Sequence, residues 1–214
     1  MLTGSLRPRD RRKIGLFGGT FDPIHVGHLI TAQEVLTKCG LEKVIFVPSA
    51  DPPHKEGRRL TRAADRLRMV SSAIEHDPRF EVSSIELERP GKSYTVDTLR
   101  QMRERFGPDV ELCFIIGADN VPEMRTWKEP ERIFDLAAVI VATRPGFEPR
   151  SMDVPFVERM TFIPTPEIAI SSTEIRLRAA QGQPIRYWVP SEVERYIVEK
   201  KLYAASLPWS DDAR

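Results

Sequence analysis

Histidine, tryptophan and cysteine are scarce in this chain, at four, three and two of 214 residues. The cysteines, Cys39 and Cys113, are too few and too far apart for a disulfide framework or a cysteine-based zinc site, so a reducing, cytoplasmic setting is expected. No long uncharged apolar run is present, and no membrane-spanning segment is expected. Neither sign of charge dominates. Lys plus Arg number 32 against 31 Asp plus Glu, a net charge of +1, which gives no general field for nucleic acid, so any anion binding must be local. Also missing are GxxxxGK[ST] and the dinucleotide glycine triplet, so neither an ordinary P-loop nor a standard dinucleotide fingerprint is present.

The chain does have short apolar runs alternating with longer segments of helical period, the pattern of a parallel sheet flanked by helices. An α/β, doubly wound sheet of about six strands is expected, with strands at KIGLF, KVIFVP, FEVSSIEL, ELCFIIG, AAVIVAT and MTFIP. The first helix should run from about Val26 to a stop at Gly40, and the second should follow Thr61 with Leu67, Val70 and Ile74 on one face. A third follows SYTVDTL, with Thr95 as its N-cap, and stops at Gly107. Ser171 with Glu174, and Ser191 with Glu194, have capping-box spacing and announce two more. One domain over residues 13–205 is expected, with a basic extension at 1–12 that lacks a secretory signal's apolar stretch, and a tail at 206–214.

Two of the four histidines stand three residues apart in KIGLFGGTFDPIHVGHLI, where a strand turns into a helix. Gly18 and Gly19 permit close approach to main-chain amides, and the helix start offers free amides and the positive dipole end. Phosphate is the natural guest. His25 and His28 should lie on one side of the helix start, about 5 to 6 Å apart at Cβ, with Gly27 leaving room between them. A metal site is disfavoured, since zinc usually needs three or four protein ligands and none lies nearby in sequence. ISSTEIR, with Ile170, Ser171, Ser172 and Arg176, begins another helix suited to an anion, although an ordinary capped helix accounts for the same residues. Gly117 and Asp119 follow an apolar strand, where a carboxylate can accept from ribose hydroxyls. Trp127 sits among polar neighbours, which suits a partly exposed ring that stacks on a flat heterocycle.

Taken whole, GGTFDPIHVGH resembles the motif of the (H/T)xGH nucleotidyltransferase superfamily, and 214 residues leave little room for the tRNA-binding apparatus of class I aminoacyl-tRNA synthetases. With PPHK, SYTVDTL, IGADN, MRTWKEP, TRPG and ISSTEIR in that order, the chain is similar to the bacterial nicotinate mononucleotide adenylyltransferases from Ile14 to about Tyr203. That resemblance implies a Rossmann-like nucleotidyltransferase fold and adenylyl transfer from ATP to nicotinate mononucleotide. It implies ATP contacts from Gly18, Gly19, Thr20, Phe21, His25, Gly27, His28, Gly117, Asp119, Arg144, Ile170, Ser171, Ser172 and Arg176, of which His25, His28 and Arg176 are catalytic. It implies mononucleotide contacts from Gly19, Thr20, Lys55, Tyr94, Thr95 and Trp127, and Mg²⁺ bound through substrate phosphates rather than side chains. Rival readings are transfer to nicotinamide mononucleotide or phosphopantetheine, and a nucleotide-binding regulator without chemistry. A nucleic-acid binder using the Arg-rich N-terminus is disfavoured by the charge balance, and a homo-oligomer is left open.

Overall fold

In the computed structural model, residues 11–52, 60–143 and 155–204 are described. Strands β1 (Arg12–Gly19), β2 (Lys43–Pro48), β3 (Phe80–Val82), β4 (Val110–Gly117), β5 (Ala138–Thr143) and β6 (Met160–Pro164) form one sheet. Every pairing is parallel, in the order β3-β2-β1-β4-β5-β6. This is the doubly wound order, and its reversal point lies between β1 and β4, where a crevice opens at the strands' carboxyl ends.

Period two sorts the inner strands' side chains to two cores. Phe17, Val44, Phe46, Cys113, Ile115 and Ile140 face one layer, while Ile14, Leu16, Ile45, Leu112, Phe114 and Val139 face the other. Helices α1 (Val26–Cys39), α2 (Ala63–Ile74), α5 (Ser172–Ala180) and α6 (Ser191–Glu199) cover the first face. On the second lie α3 (Thr95–Phe106), α4 (Pro130–Leu136) and a 3₁₀ segment, Ala118–Thr126. Both faces are therefore closed, as near-continuous apolar strands require. Among the described residues no helix is long and apolar enough to cross a membrane.

Helices α1 and α3 stop at Gly40 and Gly107 as the sequence predicts. Four expectations need correction. FEVSSIEL is a strand only over its first three residues, because the Ser84 carbonyl takes the Leu87 and Glu88 amides and turns the chain away. The N-cap of α3 is Tyr94, with Thr95 already inside the helix. Ser191 is the first residue of α6 rather than its cap, and its hydroxyl donates to the Glu192 carboxylate. On α2 the buried positions are Asp65, Arg66, Met69, Val70 and Ile74, while Leu67 is half-buried. The 3₁₀ segment and α4 had no clear periodicity to announce them.

Candidate active site

β1 ends at Gly18 and Gly19, and the chain then turns through Thr20–Ile24 into α1. A Cβ on Gly19 would lie 2.8 Å from the Phe21 ring, and one on Gly27 would lie 3.1 Å from His25 Nδ1. A side chain at Gly19 would displace the Phe21 ring, and one at Gly27 would press on the His25 ring, so glycine suits the close packing of this loop. His25 is the N-cap of α1 in extended conformation, not a member of the helix. Its ring therefore stacks on that of His28, with centroids 3.7 Å apart, instead of merely sharing a side with it.

The His25 amide donates to His28 Nδ1 at 3.2 Å. That bond requires an unprotonated Nδ1, so the neutral His28 ring carries its proton on Nε2 and is a donor there. Phe17 and Phe21 meet the His28 ring edge-on, at 6.2 and 5.1 Å, and fix its plane. His25 is 7% exposed, and its side chain faces the His28 amide across a capping box at the start of α1. Burial lowers its pKa to about 4.

The pKa shift carries a sign for stability. An unfolded chain's histidine takes a proton near its ordinary 6.5, whereas folded His25 resists until about 4. The unfolded state then binds more protons below pH 6.5, so stability is full above that value and falls as pH drops toward 4. Urea denaturation at about pH 7.5 and about pH 5 should show a loss of about 2 kcal/mol that is absent in His25→Asn. An unchanged loss in the variant would contradict the assignment to His25.

The start of α5 meets this loop directly. Ser171 is its N-cap, with Oγ accepting from the Glu174 amide at 3.1 Å. Ser172 Oγ donates to the Pro23 carbonyl at 2.9 Å, and Arg176 Nη1 donates to the Asp22 carbonyl at 2.8 Å. The two helix starts thus open on one cavity of about 970 Å³, which also reaches Thr20, Phe21 and Ile170. The hydroxyl of Ser172 is engaged in this joint, a structural use the sequence did not suggest.

Across the reversal point, Gly117 ends β4 and Asp119 stands exposed in the 3₁₀ segment. Trp127 is half-buried and meets Phe114 edge-on at 6.1 Å. Tyr94 and Thr95 form the start of α3, with Lys128 Nζ 4.8 Å from the Tyr94 ring centroid. All of these line the same cavity. Lys55 and Arg144 lie outside the described residues.

Several supporting residues escaped the sequence reading. Ser93 Oγ accepts from the Ala50 and Asp51 amides at 3.0 and 3.1 Å, joining the loop after β2 to the start of α3. Arg66 is 1% exposed and donates to the carbonyls of Thr61 at 2.9, Thr20 at 2.7 and Ala50 at 3.3 Å. Burial pulls its pKa down, against the nearby Asp22 and Glu86 carboxylates. Arg66 precedes Met69 and Val70 by three and four residues, so helical spacing puts it on their buried face of α2, which a face drawn through Leu67 misses.

Glycines, imidazoles, helix-start amides and a guanidinium around one cavity suit a polyphosphate, while the aromatic and amide-lined far end suits a second, flat group. Residues 16–178 match the cytidylyltransferase-like family. A Desulfitobacterium hafniense protein, "Probable nicotinate-nucleotide adenylyltransferase", is 47% identical over 199 residues, covering 90% of this chain and 96% of that one. A Thermus thermophilus protein of the same name is 48% identical, covering 89% of this chain and 99% of the relative. The Plasmodium falciparum nicotinic acid mononucleotide adenylyltransferase complexed with NaAD has the same fold, with a TM-score of 0.73 at 22% identity over 90% of this chain and 97% of that one.

Proposed function

The chain belongs to the cytidylyltransferase-like family, and we propose that within it the protein is a nicotinate-nucleotide adenylyltransferase. It joins ATP and nicotinate mononucleotide to give nicotinate adenine dinucleotide and pyrophosphate. The relatives' name, held at nearly half identity over almost the whole length, supports the substrate pair. The observation that carries the chemistry is the joint of Asp22 and Pro23 with Arg176 and Ser172, which brings both helix starts to one cavity.

In this reading the mononucleotide phosphate attacks the α-phosphorus of ATP, and pyrophosphate leaves. No covalent nucleophile is needed, since phosphoryl-type transfer depends on alignment and on neutralising developing charge. His28 Nε2–H donates to the oxygens at the reacting phosphorus, and His25 supports it through the stacked ring. The amides of Ser171 and Ser172, with Arg176, hold the outer phosphates. Asp119 accepts from the adenosine ribose, and the family resemblance assigns Arg144 to the adenine. Lys55 takes the mononucleotide phosphate, Trp127 stacks on the pyridine, and the amides at Tyr94 and Thr95 receive its carboxylate.

The donors at the triphosphate end are imidazoles, amides, hydroxyls and a guanidinium, a set for anions and not for a hard cation. Mg²⁺ would therefore enter on the nucleotide's phosphate oxygens with its own waters, supplying charge neutralisation.

Turnover should be compared on nicotinate mononucleotide, nicotinamide mononucleotide and phosphopantetheine, with ATP and magnesium, by pyrophosphate release. A carboxylate held by helix-start amides makes charge-assisted hydrogen bonds that an amide cannot, so kcat/KM for the acid should exceed that for the amide by about 10- to 100-fold. Equal rates on the two pyridine acceptors would overturn the carboxylate assignment, and no pyrophosphate with any acceptor would overturn the enzyme reading.

A further inference from the structure

We propose that Tyr203 is a positioning residue for adenylyl transfer, holding through Asp22 the loop on which both phosphate-binding helix starts are mounted. The inference rests on the adenylyl-transfer reading above. Tyr203 lies four residues beyond the end of α6, and it is 1% exposed in the core on the α1, α2, α5 and α6 face of the sheet. Its hydroxyl donates to Asp22 Oδ1 at 2.7 Å, across 181 positions of sequence. Asp22 is 3% exposed, and its other oxygen accepts from the Thr61 amide at 3.1 Å.

Asp22 is a junction. Its carbonyl takes Arg176, the next carbonyl takes Ser172, and three residues on from Asp22 stands His25. Moving the Asp22 carboxylate therefore shifts the entry to α1 and the seat of α5 together. Burial and the Asp22 charge hold the Tyr203 pKa well above its ordinary value, so its hydroxyl remains a donor throughout the working range. A buried carboxylate that loses this donor must find another or rearrange. A displacement on the scale of 1 Å at reacting groups costs about 100-fold in rate.

Tyr196 provides a matched control. Its hydroxyl also donates to a carboxylate, Asp65 at 2.9 Å, whose other side-chain partner is Arg62. Tyr203→Phe should lower kcat by about 10- to 100-fold with the KM for nicotinate mononucleotide within about twofold. Tyr196→Phe should lower thermal stability and leave kcat per folded molecule unchanged. A Tyr203→Phe enzyme with wild-type kcat, or the same loss of kcat in both variants, would overturn the proposal. Should Tyr203→Phe not fold, Asp22→Asn takes its place, and wild-type kcat there overturns it equally.

Calorimetric titration with a non-hydrolysable ATP analogue separates this from the choice of acceptor. If the wild type transfers nothing to nicotinate mononucleotide, the acceptor reading fails, yet analogue binding weakened about tenfold in Tyr203→Phe still supports the junction. Equal binding overturns it.

Discussion

Replacing His28 by alanine is expected to lower kcat by about 10²- to 10³-fold with the fold retained, because a preorganised donor to developing charge is worth that much. The ring is held in place before substrate arrives: Nδ1 is occupied by the His25 amide, and two phenylalanines and His25 fix the plane. In the proposed role Nε2–H is the donor, already oriented before reaction. His28→Ala also removes the acceptor of the His25 amide, so a second variant is needed to assign the loss. His28→Asn keeps a side-chain acceptor for that amide while losing the far donor. Steady-state kinetics should give both variants a similar fall in kcat. Recovery of most activity in His28→Asn would place the role in the local turn and not in transition-state stabilisation.

Arg66→Met is expected to destabilise the protein by about 3 to 5 kcal/mol, read by urea denaturation, and to lower Tm by on the order of 10 °C. Methionine fills comparable space, so the loss reports polar chemistry rather than a cavity. Three carbonyls, those of Thr20, Ala50 and Thr61, lose their donors, and the positive charge beside Asp22 and Glu86 disappears. Glu86 is 7% exposed, with one oxygen on the Thr98 hydroxyl and the other unpartnered. Such a carboxylate is poorly tolerated without a nearby cation. Arg66→Lys should recover only part of the stability, since an ammonium on a flexible stem cannot span three carbonyls as a guanidinium fork does. A loss below about 1 kcal/mol in Arg66→Met would show the fork to be dispensable.

The buried ionic groups also explain where sequence reading stopped. Asp22 stands in the loop after the first strand and Tyr203 at the end of the family resemblance, but their 2.7 Å hydrogen bond has no periodicity to reveal it. Arg66 breaks the usual rule that arginines on an amphipathic helix face water. Ser171 was legible as a cap because its acceptor is three residues away. Thr95 and Ser191 have the same chemistry, yet each sits one position inside its helix, since Tyr94 and Pro190 take the non-helical cap conformation. Local preference alone does not separate neighbours that compete for one cap.

Sequence by itself determined what depends on near neighbours: five full strands by apolar runs, helix stops at Gly40 and Gly107, and the glycine and histidine spacing of the loop after β1. These follow from steric limits and short-range hydrogen bonds, which act within a few residues. Tertiary structure alone decided the strand order that opens the crevice between β1 and β4, the stacking of His25 on His28, and the gathering of Arg66, Arg176, Ser172 and Tyr203 around the loop at Asp22. The physical reason is that burial makes a polar group costly until it is paired, and its partner is whichever group the packed chain brings within reach, however far away in sequence.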